Sequence, residues 1–289
     1  MSFDLEFGFV SLPGRKSENE DFAALLSGQG HEQARGAIAA IADGVSTGGF
    51  GREAAQTTVT TLVRDYFGTP ETWDTTVALD RIIGAQNSWL AGVNQRRHPA
   101  LGLTTLTAMV LRGQSYALAH VGDCRAYLLR GTDVVQLTHD HVVNHPDFSH
   151  QLLRAVGLEE RLVVDYSQGD VQVGDVFVLL SDGVHNHLPT ARLQTLVAQP
   201  AHDLPADSQA LSQRLVAHAL AQGSDDNVSA LVVRVRGLDN VTLQDTQRQA
   251  EQLPVLSKLK VGDVVDGLAV TAVVADNGIN IVYQVRHPK

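Results

Sequence analysis

TTLTAMVLRGQSYALAHVGDCRAYLLRGTDVVQL, residues 104–137, holds four short apolar runs, LTAMVL, SYALAHV, RAYLLR and DVVQL, separated by Gly, Asp or Arg-Gly turns. Runs of this length between turn-forming residues read as strands, and their close spacing suits an antiparallel meander. No helical stretch intervenes, which argues against a doubly wound parallel sheet.

Strand patterns also precede this stretch, at residues 4–10 (DLEFGFV), 22–26 and 36–42 (GAIAAIA). After a Gly-rich turn at 48–51, apolar residues recur at helical spacing from Ala54 to Tyr66 and again from Ile82 to Val93. Residues 139–170 are polar and His-rich, with a short helical patch expected at 151–156, and read as a flap over one end of the sheet. Strand character returns at 175–181 and in VSALVVRV, with helices expected around 191–198 and 208–221 and Asp207 or Ser208 capping the latter. Strands in two groups, each with a helix pair, define an α+β fold: a layered α-β-β-α sandwich of two mainly antiparallel sheets flanked by helix pairs.

The first domain is expected to span residues 1–237. Residues 238–258 are polar and Gln-rich, carry Pro254 and read as a linker. Residues 259–289 hold two or three short strands, too few to bury a core alone.

Composition narrows the function. A hydrophobic content of 44% supports a normal folded core. The one cysteine, Cys124, precludes an intramolecular disulfide and suits a reducing compartment, so a cytoplasmic location is expected. No run is long and apolar enough to span a bilayer, and a formal charge of −10 disfavours phosphate-backbone binding, so neither membrane nor nucleic acid is an expected partner.

Four aspartates stand where apolar runs end or polar turns begin: Asp43, Asp123, Asp182 and Asp226. Oxygen ligands scattered along the chain, without Cys pairs or paired His, favour Mg²⁺ or Mn²⁺ over Zn²⁺. Asp43-Gly44 is suited to bridging two ions, because glycine lets the backbone approach a metal and offer its carbonyl. Asp182-Gly183 repeats the arrangement at a second strand end.

ENEDF, ADGVSTGG, GLTTLTAMV, HVGDCRAYLLR, LTHDH, LLRAVG, GDVFVLLSDGV and GSDDNVSALVV follow one another along the chain. With these motifs, residues 4–236 resemble a metal-dependent serine/threonine protein phosphatase of type 2C, in its bacterial branch. The resemblance implies hydrolysis of phosphoserine and phosphothreonine in proteins by a hydroxide bridging two Mn²⁺ or Mg²⁺ ions. It implies that Asp43 bridges the ions, that the Gly44 carbonyl holds the second, and that Asp182 and Asp226 hold the first. Glu20 and Asp21 would act mainly through bound waters, and Asp123 with Asp182 would hold a third, weaker ion. The expected partners are phosphorylated proteins, substrates of a Ser/Thr kinase. A non-catalytic binding module and a two-metal hydrolase of small phosphoesters are the alternatives.

Three positions depart from the family pattern. Where an arginine usually grips the substrate phosphate, the spacing places Lys16, with Arg15 one residue earlier; Arg15 is the favoured phosphate ligand, since its fork binds bidentately. Val45 replaces the histidine that acts as acid in eukaryotic members, which leaves that role to a bound water. Cys124 replaces a serine and reads as a buried small hydrophobe.

The histidines at 139, 141, 145, 150, 185 and 187 lack zinc-site spacing, and His141 is expected to make a structural hydrogen bond. In the tail, VADNGINIVYQV resembles the first strands of a protein kinase small lobe, although Asp276 and Asn280 stand at two glycine positions. Without a later strand lysine or the catalytic-loop and Asp-Phe-Gly motifs, kinase activity is not expected of residues 259–289. The resemblance implies a phosphatase fused to a kinase domain in the native chain; the alternative is a small C-terminal strand extension that packs on the sandwich.

Overall fold

The computed structural model describes residues 3–45, 50–96, 102–143, 151–198, 207–252, 257–278 and 280–287. Residues 48 and 49 of the Gly-rich turn, together with His145, His150 and Pro254, lie outside the described residues.

Strand β3 (Ala37–Val45) organises one sheet, in the order β2-β3-β5-β6-β9, with the two-residue β4 (Leu103–Thr104) also paired to β3. Its other members are β2 (Asp21–Ser27), β5 (Leu106–Arg112), β6 (Ser115–Val121) and β9 (Asp165–Asp170). The second sheet runs β1-β11-β10-β7-β8, with β1 (Asp4–Leu12), β7 (Arg125–Arg130), β8 (Asp133–Gln136), β10 (Val176–Leu180) and β11 (Val228–Gly237). All strand pairs in both sheets are antiparallel.

The near-continuous apolar composition of β3 follows from burial on both faces. Ile38, Ala40 and Ala42 pack with helices α1 (Gly51–Gly68) and α2 (Thr75–Arg96), while Ala39 and Ile41 face Leu231, Val233 and Phe177 of the opposite sheet. The outer face of that opposite sheet is covered by α3 (Asp182–His185), α4 (Thr190–Ala198) and α5 (Ser208–Ala221), through Leu193, Leu211 and Leu215. These three apolar layers make the α-β-β-α sandwich. Asp207 caps α5 as expected, accepting from the Ala210 N–H at 2.6 Å.

The structure differs from the sequence reading at four places. The meander is divided: β5 and β6 belong to one sheet and β7 and β8 to the other, so the chain crosses between sheets at residues 122–124. Residues 151–156 are not helical; Leu152 bridges Val142 and Val156 bridges Thr104, because backbone pairing with neighbouring segments displaces a helix too short to nucleate. The flap segment also contains β9, an edge strand that pairs with β6. Within the segment read as a linker, Leu243–Gln252 forms helix α6.

The chain divides into two compact units after Asp245. Asp245 belongs to the first, where its Oδ2 accepts from the N–H groups of Gln114 (3.1 Å) and Thr242 (2.8 Å). The second unit carries a three-stranded antiparallel sheet, β12 (Val264–Val265), β13 (Leu268–Asp276) and β14 (Ile281–Arg286), with Val274 and Val282 exposed.

Candidate metal centre

Strand ends and turns from both sheets meet in one open cleft of about 870 Å³, lined among others by Lys16, Glu18, Glu20, Asp43, Gly44, Asp123, Asp182, Asp226 and Asn227. Asp43 lies at the end of β3, where its main chain is held by two threonines. Its N–H donates to Thr105 Oγ1 (2.8 Å) and its carbonyl accepts from the Thr105 N–H (2.9 Å) and Thr104 Oγ1 (3.0 Å). A Cβ on Gly44 would collide with the Gly51 carbonyl at the start of α1. Glu20 straddles this contact: its carbonyl accepts from the Gly44 N–H (3.2 Å) and its Oε1 from the Gly51 N–H (3.1 Å).

Asp182 opens α3 directly after β10, and Asp226 precedes β11. Gly183 lets these two segments touch, since a Cβ there would collide with the Asn227 carbonyl. Asp123 occupies the crossing between the sheets. Its carbonyl accepts a hydrogen bond from His185 Nε2 at 2.9 Å, which ties the crossing to α3. A carbonyl can only accept, so Nε2 carries the proton; burial, with Arg125 nearby, lowers the His185 pKa to about 4 and keeps the ring neutral.

Asp21 stands behind this wall rather than in it. It is paired with Asp43 across the β2–β3 ladder, is 5% exposed and does not line the cleft. Burial pushes its carboxyl up to about 7 against the pull of the Ser229 and Ser181 hydroxyls, while Asp182 and Asp226 add repulsion. Burial likewise raises Asp43 well above the usual carboxylate range, with Asp21 and Asp182 as the largest repulsive neighbours. Asp123 is pushed up to about 7, by burial first and then by Asp182 and Asp140.

The donor set fits hard divalent cations. Carboxylates that repel one another in a shared, partly desolvated cleft are stabilised by a bound cation, and the buried Oδ1 of Asp123 has no hydrogen-bond partner. Among the described residues no three His, Cys, Asp or Glu side chains converge closely enough to enclose an ion by themselves. The Gly44 carbonyl and solvent would therefore complete the shells, as Mg²⁺ in particular favours.

Of the two candidate phosphate ligands, Lys16 lines the cleft and Arg15 does not. Lys16 Nζ lies 3.2 Å from Asp226 Oδ1, a contact that raises its pKa. With the two side chains 54% and 42% exposed, solvent screens the pair, which leaves Lys16 free to exchange partners.

No histidine lines the cleft among the described residues. His141 makes the expected structural contacts: its Nδ1 accepts from the Gly122 N–H (3.1 Å) and its Nε2 faces Asp165 Oδ2 (3.1 Å). Cys124 is fully buried beside Thr105, and burial pushes its thiol pKa well up, as a small hydrophobe requires.

Sequence reading assigned no role to Asn227, Thr104, Thr105 or His185. Asn227 straps the loop that carries Lys16 to the floor of the cleft. Its Oδ1 accepts from the Glu20 N–H (2.8 Å), and its Nδ2 donates to the carbonyls of Pro13 (3.0 Å) and Glu18 (2.9 Å). A buried amide beside Asp226 at the start of a strand was the available signal; its partners lie more than 200 residues away.

The chain and its fold have known counterparts. A family model described as Protein phosphatase 2C matches residues 14–222, and the chain belongs to that family. It is 30% identical over 149 residues to the serine/threonine phosphatase stp of Listeria welshimeri, covering 45% of this chain and 56% of that protein. It is 28% identical over 224 residues to the serine/threonine protein phosphatase PstP of Mycobacterium tuberculosis, covering 70% of this chain and 41% of that protein. The chain thus spans about half the length of these curated relatives. The crystal structure of the PstP catalytic domain in complex with two manganese ions matches with a TM-score of 0.68 at 26% identity, covering 81% of this chain and 99% of that one. Among the described residues, no helix is long and apolar enough to cross a membrane.

Proposed function

We propose that the protein is a metal-dependent hydrolase of phosphoserine and phosphothreonine in proteins. The observation that carries this reading is the convergence of Asp43, Asp123, Asp182 and Asp226, from four separate segments, in one cleft that also holds Lys16. Asp43, the Gly44 carbonyl, Asp182 and Asp226 would hold a pair of Mn²⁺ or Mg²⁺ ions, and Asp123 with Asp182 a third. When bound, the pair would acidify water for attack and neutralise charge on the phosphoryl group. Glu20 fixes the backbone of Gly44 and Gly51 and would act on the ions through solvent. Asp21 acts from behind, through Asp43.

Lys16 leaves Asp226 and receives the substrate phosphate as a point charge, which orients the phosphoryl group over the carboxylates. Val45 has no proton to give, so the leaving alkoxide takes one from water. Cys124 is buried away from the cleft with its thiol protonated, so no covalent phosphoenzyme forms on it.

The test is phosphate release from a phosphothreonine peptide with Mn²⁺ titrated in and EDTA as control. Turnover is expected to saturate with Mn²⁺ and vanish with chelator. Folded protein that releases no phosphate at millimolar Mn²⁺ overturns the reading, and faster turnover of a nucleotide than of phosphopeptides redirects it to small phosphoesters.

The physiological setting belongs to the same proposal: a cytoplasmic enzyme that reverses the action of a Ser/Thr kinase. Residues 259–289 are read as the first strands of a kinase small lobe. This is supported by the β13–β14 pairing and by Gly278, at φ 80°, between those strands. A native gene product of only 31.1 kDa, the mass of this chain, would remove the fusion.

A further inference from the structure

The cleft has a second wall, opposite in character to the first. Val45, Leu103, Leu152 and Leu158 line it beside the carboxylates, and Val45 and Leu158 remain 41% and 42% exposed. Their positions are built by the backbone. Val45 pairs with Leu103 across β3 and β4, and the next residue, Thr104, is bridged to Val156. Leu152 is bridged to Val142. Leu158 follows Gly157, whose N–H donates to Asn87 Oδ1 (2.8 Å) and whose carbonyl accepts from Asn94 Nδ2 (3.1 Å), both on α2. A Cβ on Gly157 would collide with the Leu90 side chain, so this segment is held tightly against the helix.

Aliphatic side chains fixed at the edge of a charged site cannot move away from water into the core, and a ligand that covers them gains the free energy of burying them. A carboxylate placed against the same aliphatic side chains would lose hydration with no partner to replace it, which disfavours an acidic side chain there. Resting on the phosphatase reading above, we propose that this wall sets substrate selectivity. It receives an aliphatic side chain immediately flanking the phosphorylated residue of a peptide, and the cleft selects against acidic residues at the flanking positions.

The test compares phosphothreonine peptides carrying Leu, Ala or Asp at each of the two flanking positions, with Mn²⁺ saturating. At one flanking position at least, kcat/KM is expected to fall about tenfold from Leu to Ala, chiefly through KM, and further to Asp. In Leu158→Ser the Leu-to-Ala ratio should collapse towards one, while Leu158→Met should retain it. Leu158 is a surface position, and a thermal unfolding profile checks that both variants are folded. Equal turnover of all peptides by the unaltered protein, or a Leu preference untouched in folded Leu158→Ser, overturns the inference and leaves the phosphatase reading standing. Failure to turn over any peptide removes both.

Discussion

Asp21 and Asp43 oppose each other directly across a strand pair, an arrangement of like charges that costs stability until a cation offsets it. The Asp21 carboxyl is raised from 3.8 to about 7. In metal-free protein, its proton is therefore retained by the fold but lost by the unfolded chain between these values. Its contribution to stability is present below pH 4, declines as the pH rises and is lost above 7. Asp21→Asn should raise the melting temperature in EDTA, and the gain should grow from pH 5 to pH 8. A gain independent of pH would show that Asp21 is not the titrating group. Asp43→Asn or Asp182→Asn should lower phosphate release by about a thousandfold or more while the far-UV spectrum stays native. Near-normal rates at saturating Mn²⁺ would contradict the assigned metal ligands. The importance of Asp43 and Asp182 was legible, since each stands where an apolar run ends. The place of Asp21 behind Asp43 was not, because ENEDF does not reveal which of its acids faces inward.

At the scale of elements, Asn227 connects the start of β11 to the loop at residues 13–20 by three hydrogen bonds. Asn227→Ala leaves the Glu20 N–H and two carbonyls without that partner, at about 1–3 kcal/mol for each buried group that finds no water. The expected outcome is a raised KM for phosphopeptide, with earlier proteolytic cleavage in the 13–20 loop; an unchanged KM would mean that the loop holds Lys16 without this strap. His185 links α3 to the sheet crossing in the same way. Strand β9 escaped sequence reading for a related reason. DYSQGD is polar because it is an edge strand whose exposed residues carry no apolar alternation, and its identity comes from pairing with SYALAH.

For the whole molecule, the division after Asp245 predicts two separable units. Limited trypsin digestion should cut first at Lys258 or Lys260, both exposed in the second unit. The large fragment should keep metal-dependent turnover and a melting temperature within about 2 °C of the parent. Loss of turnover on cleavage would make the small sheet part of the working enzyme. Within the first unit, the helix pairs, the apolar strands, the Asp-Gly pairs where apolar runs end and the α5 cap were all set by residue type and spacing, because periodicity and capping chemistry act over a few residues. Folding decided the rest: where the meander divides between sheets, that Lys16 rather than Arg15 lines the cleft, that residues 151–156 bridge instead of coiling, and that aliphatic side chains line the same cleft as the carboxylates. Each of these depends on which distant segments pack together, and the free energy that selects among them arises only when both partners are in place.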